Sequence, residues 1–371
     1  APTYSVVVPG TEEPEAGWGP VHRSVDGQEP TLGIFDEASG ETVMTSYENF
    51  QKTRRHCGSR PFLGYRPMSA DGVAGDYVWS TYEEVGKRTD NFGAGLVSLG
   101  LCPPTGDAEL RGRGLIGLYS KNRTEWVIAE QGAFTQAVVS CPMYDTLGAE
   151  SVAYVINQTS MQTLVCSAEC IGSVFACKPQ CPTLQCVILM EATNEEIKGK
   201  AQEVGLKVMS MAEVEQEGAS KPIKHTPPSP EDIFTFCYTS GTTGDPKGVL
   251  LAHGDVVTVY GSARSRPSMK MQDSDLHLSY LPLPHIFERL IQFGCVHSGA
   301  AIGFYQGETL KILEDLQALR PTIFPSVPRL LNRIHDKLRA GVEEAGGIKK
   351  VLFERGYSAK KGGLGNGTVK H

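Results

Sequence analysis

The stretch Tyr-Thr-Ser-Gly-Thr-Thr-Gly-Asp-Pro-Lys-Gly occupies positions 238–248 and directly follows an apolar run at 233–237. It combines four Ser and Thr hydroxyls with three glycines and one lysine. Glycine allows successive backbone N–H groups to point into one concavity, and the hydroxyls add hydrogen-bond donors. The pattern predicts a buried strand that leads into a polyphosphate-binding loop, in which the ammonium of Lys247 offsets phosphate charge.

A solvated hairpin loop is the alternative for 238–248, because Gly, Thr, Ser, Asp and Pro all favour turns. The density and order of these residues in one stretch favour phosphate binding. Two common phosphate loops do not fit the stretch, since no Gly-Lys-Ser or Gly-Lys-Thr closes it and it contains no G-x-G-x-x-G pattern.

Composition narrows the class of partner. Over 371 residues, 35 Lys and Arg against 42 Asp and Glu give a net charge of −7, which argues against nucleic acid. No run of about 18 apolar residues occurs, so no transmembrane helix is expected. The ten cysteines lie in apolar patterns, which favours a reducing compartment. The cysteines between Cys166 and Cys186 lack the paired C-x2-C spacing of zinc sites, so a metal is not expected there.

Strand and helix signals alternate along most of the chain, which predicts an α/β fold with mainly parallel sheets and helices on their faces. The predicted strands are 115–119, 137–141, 162–166, 185–190, 249–251, 278–281 and 300–305. The predicted helices are 80–100, 122–136, 149–157, 168–176, 255–263, 285–297, 308–319 and 328–344. A capping box is expected at 122–125. Residues 1–75 are rich in Gly, Pro and acidic residues and are predicted to form an extended N-terminal segment.

Four motifs together resemble one family. They are Tyr-Val-Trp-Ser-Thr-Tyr-Glu-Glu-Val at 77–85, the stretch 238–248 with its continuation to His253, Leu-Pro-Leu-Pro-His-Ile-Phe-Glu-Arg at 281–289, and Arg-Pro-Thr-Ile-Phe-Pro-Ser-Val-Pro-Arg-Leu at 320–330. The chain resembles the adenylate-forming, AMP-binding synthetases over nearly its whole length, and among them the eukaryotic long-chain acyl-CoA synthetases. The resemblance implies that residues 76–371 are the first part of an AMP-binding domain.

The resemblance implies a reaction and its residues. A long-chain fatty acid would be adenylated with ATP and Mg²⁺ and then transferred to CoA. The implied phosphate-binding residues are Thr239, Ser240, Gly241, Thr242, Thr243, Gly244 and Lys247. Lys247 would also be the catalytic cation, and Thr239 would contact the metal. His285 and Phe287 would line the acyl substrate, although a His at a strand-to-helix junction is also typical of a cap. Glu288 and Arg289 are expected to form a structural ion pair.

The chain departs from the family pattern after Arg329. The family carries a Tyr-Gly-x-Thr-Glu stretch, a ribose-binding Asp and a C-terminal catalytic Lys, and none of these follows here. We therefore expect the chain to correspond to about the first half of such an enzyme.

Two other functions stay open, namely a short inactive protein that binds phosphate or acyl groups, and another carboxylate-activating enzyme such as an aromatic-acid ligase. An intracellular location is expected, at the cytosolic face of the endoplasmic reticulum or at the peroxisome. Basic residues at 349–350 and 360–361 leave peripheral membrane association open, with a solvated surface as the alternative.

Overall fold

The structure is a computed structural model that describes residues 5–12, 17–25, 32–239, 246–266 and 269–365. Along the chain it forms two compact units, Ala1–Ile323 and Phe324–His371. The first unit contains two larger sheets with helices packed on them, which confirms the predicted α/β class.

The secondary structure of the first unit starts with short strands and then alternates. Its strands are β1 (Ser5–Val7), β2 (His22–Ser24), β3 (Ile34–Asp36), β4 (Glu41–Val43), β5 (Pro61–Tyr65), β6 (Val78–Thr81), β7 (Leu115–Tyr119), β8 (Val139–Met143), β9 (Thr163–Cys166), β10 (Cys186–Leu189), β11 (Lys207–Ser210), β12 (Ile233–Thr239), β13 (Lys247–Ala252), β14 (Leu276–Ser279) and β15 (Ala301–Phe304). Its helices are α1 (Ser46–Cys57), α2 (Tyr82–Ser98), α3 (Thr124–Phe134), α4 (Ala149–Gln158), α5 (Ile171–Cys177), α6 (Glu195–Glu203), α7 (Met211–Ser220), α8 (His253–Arg264), α9 (Ile286–Ser298) and α10 (Ile312–Leu319).

The larger sheet has the strand order β11-β10-β9-β7-β8-β12-β13. Its strands are parallel except β13, which runs antiparallel to β12. The chain passes from β7 to β8 on one side and then crosses to β9 on the other. Strand order therefore reverses between β7 and β9, and ligands of open α/β sheets bind at the carboxyl edge near such a point.

The second sheet has the order β14-β15-β5-β6, with β6 antiparallel to β5. One hydrophobic core joins the two sheets. It contains Ile116 and Leu118 of β7, Ile302 and Phe304 of β15, and Phe92 of α2, all at most 2% exposed. Strand β7 of the larger sheet and strand β15 of the second sheet are thus held by a shared core.

The N-terminal region differs from the expected extended segment over 1–75. Residues 46–57 form the helix α1, and 61–65 form β5 of the second sheet. Thr45 and Glu48 make a capping box that fixes the start of α1, and Phe50 is 1% exposed and packs on Phe62 at 5.8 Å between ring centroids. The helix was not predicted because most residues on its buried face are polar, so its sequence lacks apolar periodicity. The domain boundary near residue 75 stays a prediction.

Helix α2 starts as predicted, because Thr81 and Glu84 form a capping box and Gly100 follows the helix with φ +63°. Its contact with α7 is unusually close. A β-carbon added at Gly218 would lie 1.8 Å from the Asn91 carbonyl oxygen, and one at Gly95 would lie 2.1 Å from that of Val214. The two glycines are what permits the helices to approach this closely.

Two sequence predictions in the middle of the chain were wrong or incomplete. The capping box expected at 122–125 is absent, since Arg123 is the N-cap of α3 and makes no side-chain cap bond. The side chain of Asn122 instead bonds to the segment after β14. The elements α6, β11 and α7 were not predicted, because their exposed, charged helices show little apolar periodicity.

The second unit contains the helices α11 (Pro328–Ala345) and α12 (Gly347–Gly365). The first was predicted to within one residue, whereas α12 was not predicted. Arg339 of α11 forms an ion pair with Glu354 of α12 and lies 4.6 Å from the Tyr357 ring centroid. No helix in the described part of the chain is long and apolar enough to cross a membrane.

Candidate active site

The central strand of the sequence prediction is present. β12 runs through the sheet beside β8, and Thr235 Oγ1 donates a hydrogen bond of 3.1 Å to the Ser140 carbonyl. Its last residue, Thr239, is paired with Lys247, the first residue of β13, and Thr239 Oγ1 lies 3.5 Å from the Lys247 carbonyl oxygen. Both residues are exposed. The two ends of the predicted phosphate loop are therefore fixed side by side.

The other predicted phosphate-binding residues, Ser240, Gly241, Thr242, Thr243 and Gly244, lie outside the described residues. Their role stays a prediction. The strands on either side do form a hairpin, as the alternative interpretation required, and hairpin geometry is compatible with either role.

A G-x-G-x-x-G pattern occurs at 112–117. It runs into β7 instead of following a strand, so it is not placed as a dinucleotide-binding loop would be.

His285 occupies the N-cap of α9. Its Nδ1 accepts a hydrogen bond of 3.2 Å from the backbone N–H of Phe287. That bond requires the lone pair of Nδ1, so a neutral ring carries its proton on Nε2, which the cap leaves free for other use. His285 is exposed and Phe287 is 43% exposed. The structure thus gives His285 the capping role and leaves its predicted substrate role untested.

The strand before the phosphate loop contacts the segment before His285. Cys237 Sγ lies 3.7 Å from the carbonyl oxygen of Pro284, at hydrogen-bonding distance for a thiol. Cys237 stands two residues before Thr239, and Pro284 immediately precedes His285. The two sequence motifs, some forty residues apart, therefore meet at one edge of the protein.

Behind this edge lies a buried ion pair that joins α3 to α9. Arg289 Nη2 bonds to Glu130, and the same nitrogen donates to Ser140 Oγ at 3.1 Å. The guanidinium also stacks 4.1 Å from the Phe234 ring centroid of β12. Burial raises the pKa of Glu130 and lowers that of Arg289, and the charge of each partner opposes these shifts. The pair holds α9 against β8 and β12, and β12 leads into the predicted phosphate loop.

The prediction of an ion pair between Glu288 and Arg289 is wrong. Glu288 Oε1 bonds instead to His277 Nε2 of β14 at 2.8 Å, and both side chains are fully buried. Successive residues of a helix point in different directions, so each of the two charged groups found a separate buried partner. The expectation of a structural role is met by both.

Asn122 is a buried polar residue that the sequence analysis did not single out. It follows β7 and is 7% exposed. Its Nδ2 donates to Ser279 Oγ at 2.9 Å and to the Leu281 carbonyl at 2.7 Å, and its Oδ1 accepts from the Leu283 N–H at 3.1 Å. It also lines a cleft of about 460 Å³ at the carboxyl edge of β7 and β9. A buried amide after a central strand was the available signal.

In the described part of the chain, no three His, Cys, Asp or Glu side chains stand close enough to hold a metal ion. Mg²⁺ at nucleotide sites is bound largely by phosphate and water oxygens, so the single exposed hydroxyl of Thr239 suits such an ion. The cysteines 166–186 are buried free thiols, and burial raises the pKa of Cys186 to about 11.

A strand pair that flanks a Ser-, Thr- and Gly-rich sequence, with the segment before α9 in contact with one of the strands, defines the class: an α/β protein with a candidate nucleotide-phosphate site. Comparison with known families makes this specific. The chain belongs to the AMP-binding enzyme family, whose sequence profile matches residues 50–360.

Within this family, the curated relatives confirm that the chain is similar to long-chain acyl-CoA synthetases. The chain is 39% identical over 364 residues to long chain acyl-CoA synthetase 6, peroxisomal, of Arabidopsis thaliana, covering 98% of this chain and 50% of that protein. It is 35% identical over 333 residues to long-chain-fatty-acid–CoA ligase 5 of Rattus norvegicus, covering 88% and 47%. The chain therefore spans about half the length of the curated relatives it matches.

Solved structures share the fold. The adenylation domain of a carboxylate reductase from Mycobacterium chelonae superposes with a TM-score of 0.74 at 17% identity, covering 87% of this chain and 53% of that one. An anthranilate CoA ligase in complex with anthranoyl-AMP gives 0.62 at 18% identity, with 76% and 49% covered. These similarities establish the fold as that of adenylate-forming domains.

Proposed function

We propose that the full-length protein containing this chain activates long-chain fatty acids, first as acyl-adenylates with ATP and then as CoA thioesters. The observation that carries the proposal is the meeting of Thr239 and Lys247 with the His285 segment, through the contact of Cys237 with Pro284. Identity to long-chain acyl-CoA synthetases over nearly the whole chain supports the substrate class.

The chemistry explains why these groups belong together. A carboxylate does not acylate a thiol because its oxygen is a poor leaving group. In the proposed reaction a carboxylate oxygen bonds to the α-phosphorus of ATP and pyrophosphate leaves; the CoA thiolate then bonds to the acyl carbon and AMP leaves. Negative charge develops in both steps, so fixed donors and cations lower the barrier.

Each residue has a proposed part in this scheme. The ammonium of Lys247 and the loop donors from Thr239 to Gly244 bind the phosphates. Mg²⁺, held by the phosphates and Thr239, would supply further neutralisation of charge. His285 donates through Nε2 to an oxygen of the substrate, and Phe287 gives the acyl group an apolar surface.

The test is ATP–pyrophosphate exchange by the full-length protein with a panel of carboxylic acids. Exchange that depends on palmitate-like acids and on Mg²⁺ supports the proposal, as does CoA-dependent thioester formation. Exchange with aromatic acids alone would move the assignment to an aromatic-acid ligase. Binding of ATP without exchange for any acid would contradict the proposal and favour the inactive binding protein.

We also propose that the second unit binds anionic membrane surfaces. Over residues 328–365, nine Lys and Arg less four Asp and Glu give +5, in a chain whose net charge is −7. Exposed apolar side chains occur on the same helices, including Leu338 at 55% and Leu352 at 62%. Basic charge combined with apolar side chains on helices is typical of interfacial binding.

Vesicle flotation tests this association. Phosphatidylserine vesicles should carry the protein and phosphatidylcholine vesicles should not, and Gln at 349, 350, 360 and 361 should reduce binding. Gln at four exposed lysines of the first unit, 198, 200, 207 and 221, is the matched control. Equal binding to both vesicle types would overturn the proposal.

Because two similar plant proteins bear peroxisomal names, we further propose that the full-length protein is located in the peroxisome and not at the endoplasmic reticulum. A fluorescent fusion of the full-length protein tests this location.

A further inference from the structure

We propose that Asn122 is a positioning residue for the adenylation step, an inference that rests on the proposed function. Asn122 joins the two sheets at their carboxyl ends. It follows β7 of the larger sheet, and its three hydrogen bonds go to Ser279, Leu281 and Leu283, which end β14 or follow it. A primary amide matches this arrangement, because it supplies two N–H donors and an acceptor from one side chain.

The segment it holds has few other backbone anchors. Prolines at 282 and 284 provide no N–H, so the donors from 281 to 285 are those of Leu281, Leu283 and His285. The His285 N–H bonds back to the Pro282 carbonyl within the segment itself. The Leu283 N–H, which donates to Asn122 Oδ1, therefore ties this turn to the end of β7, and the Cys237–Pro284 contact ties it to β12.

This tie matters because the two halves of the proposed site lie on different sheets. The phosphate loop follows β12 of the larger sheet, and His285 follows β14 of the smaller one. Transfer of a carboxylate to the α-phosphorus requires both halves at a fixed separation, and a misplacement of about 1 Å can cost on the order of 100-fold in rate. Asn122 does not reach the exposed His285 ring, so its effect is on position.

A merely structural role is the competing explanation, since Asn122 and Leu283 are buried. The two roles differ in what they change. Loss of general stability would lower the amount of active enzyme and leave the KM values for ATP and fatty acid unaltered. Loss of positioning would lower turnover or weaken the use of fatty acid in a fully folded protein, while ATP still binds at the other sheet.

The experiment compares Asn122→Ala, Asn122→Asp and wild type in the full-length protein. Amide hydrogen exchange at Leu283 should quicken in Asn122→Ala, with β7 and β14 unchanged, and kcat/KM for fatty acid should fall about 100-fold with the KM for ATP within about twofold. Asn122→Asp keeps an acceptor for Leu283 and should protect that amide while recovering part of the activity. Asn157→Ala, which removes an exposed amide bonded to the Gln180 carbonyl, is the matched control and should equal wild type.

Three results would overturn the inference: unchanged exchange at Leu283, full activity despite fast exchange there, or faster exchange across the whole protein with activity lost in the same proportion. A wild type that shows no ATP–pyrophosphate exchange contradicts the proposed function and, with it, the catalytic part of this inference. The exchange rate of Leu283 would then still decide whether Asn122 holds the turn.

Discussion

The first turn of α9 has two contrasting faces. His285 and Phe287 are exposed at its tip, and neither forms an ion pair among the described residues. Glu288 and Arg289 follow directly and are buried, each bonded to a charged or titratable partner from another element. The contrast shows that one short motif combines exposed side chains, which we propose to face the substrate, with buried charges that fix the helix carrying them.

Breaking the buried face should have the largest effect. Arg289→Met leaves Glu130 buried without its cation, and the free energy of unfolding should fall by about 3–5 kcal/mol. The double variant Arg289→Met with Glu130→Leu should recover much of this loss, since it removes both charges. Urea unfolding followed by tryptophan fluorescence, to which Trp126 at 5.7 Å from the guanidinium contributes, measures both losses of free energy. Equal losses in the single and double variants would contradict the pairing argument.

The exposed edge should matter for rate and little for stability. Lys247→Ala should lower kcat for exchange by roughly 10²–10³-fold, because a cation facing the developing charge is lost. Thermal stability should be unchanged, because the side chain is exposed. Lys207→Ala is the matched control, since Lys207 also begins an exposed edge strand of the same sheet. Similar rates for the two variants would remove Lys247 from the proposed site.

Acid should weaken the buried interior. Burial lowers the pKa of His253 and of His297 from 6.5 to about 3. The unfolded chain binds protons at both positions as pH falls below 6.5, whereas the folded protein does not until about pH 3. The stability that depends on these two neutral histidines is therefore fully present above pH 6.5. It decreases between pH 6.5 and pH 3, and the free energy of unfolding falls by on the order of a few kcal/mol. Urea unfolding at several pH values tests this, and His253→Phe should flatten the profile.

Substitution of His285 can separate its capping role from its proposed substrate role, and the expected change in stability is small. His285→Asn keeps an N-cap acceptor, so its stability should match wild type while its exchange activity falls. His285→Ala loses the cap as well and should cost about 1 kcal/mol of unfolding free energy. Full activity in His285→Asn would restrict this residue to capping.

The fold was largely predictable where apolar strands and capped helices alternate, as at 115–119, which matches β7 in both bounds. Prediction failed where burial involves polar groups. In α1 the buried face includes Asn49, Lys52 and Thr53, and Lys52 is buried by an ion pair with Asp36 at 2.6 Å. Lys52 also donates to the carbonyl of His297 at 2.9 Å, and a partner so distant in the chain is not visible in any local sequence pattern.

The same limit applies to the candidate site. The motifs named Thr239, Lys247 and His285 because hydroxyl, glycine and cation content is visible in the sequence. They did not reveal that Glu288 pairs with His277, or that the side chain of Asn122 bonds to the segment at 281–283. Those choices depend on how the two sheets pack, which is a tertiary property.

The glycine contact between α2 and α7 limits how this protein can vary. On one flank of that crossing Arg88 pairs with Glu215 at 2.9 Å, and on the other Ser98 bonds to Glu217 at 2.6 Å. A single methyl group at Gly218 would overlap the Asn91 carbonyl and force the helices apart, so both polar contacts would be lost together with the packing. In random mutagenesis, we therefore expect Gly95 and Gly218 to tolerate not even alanine, although neither glycine lies at the candidate active site.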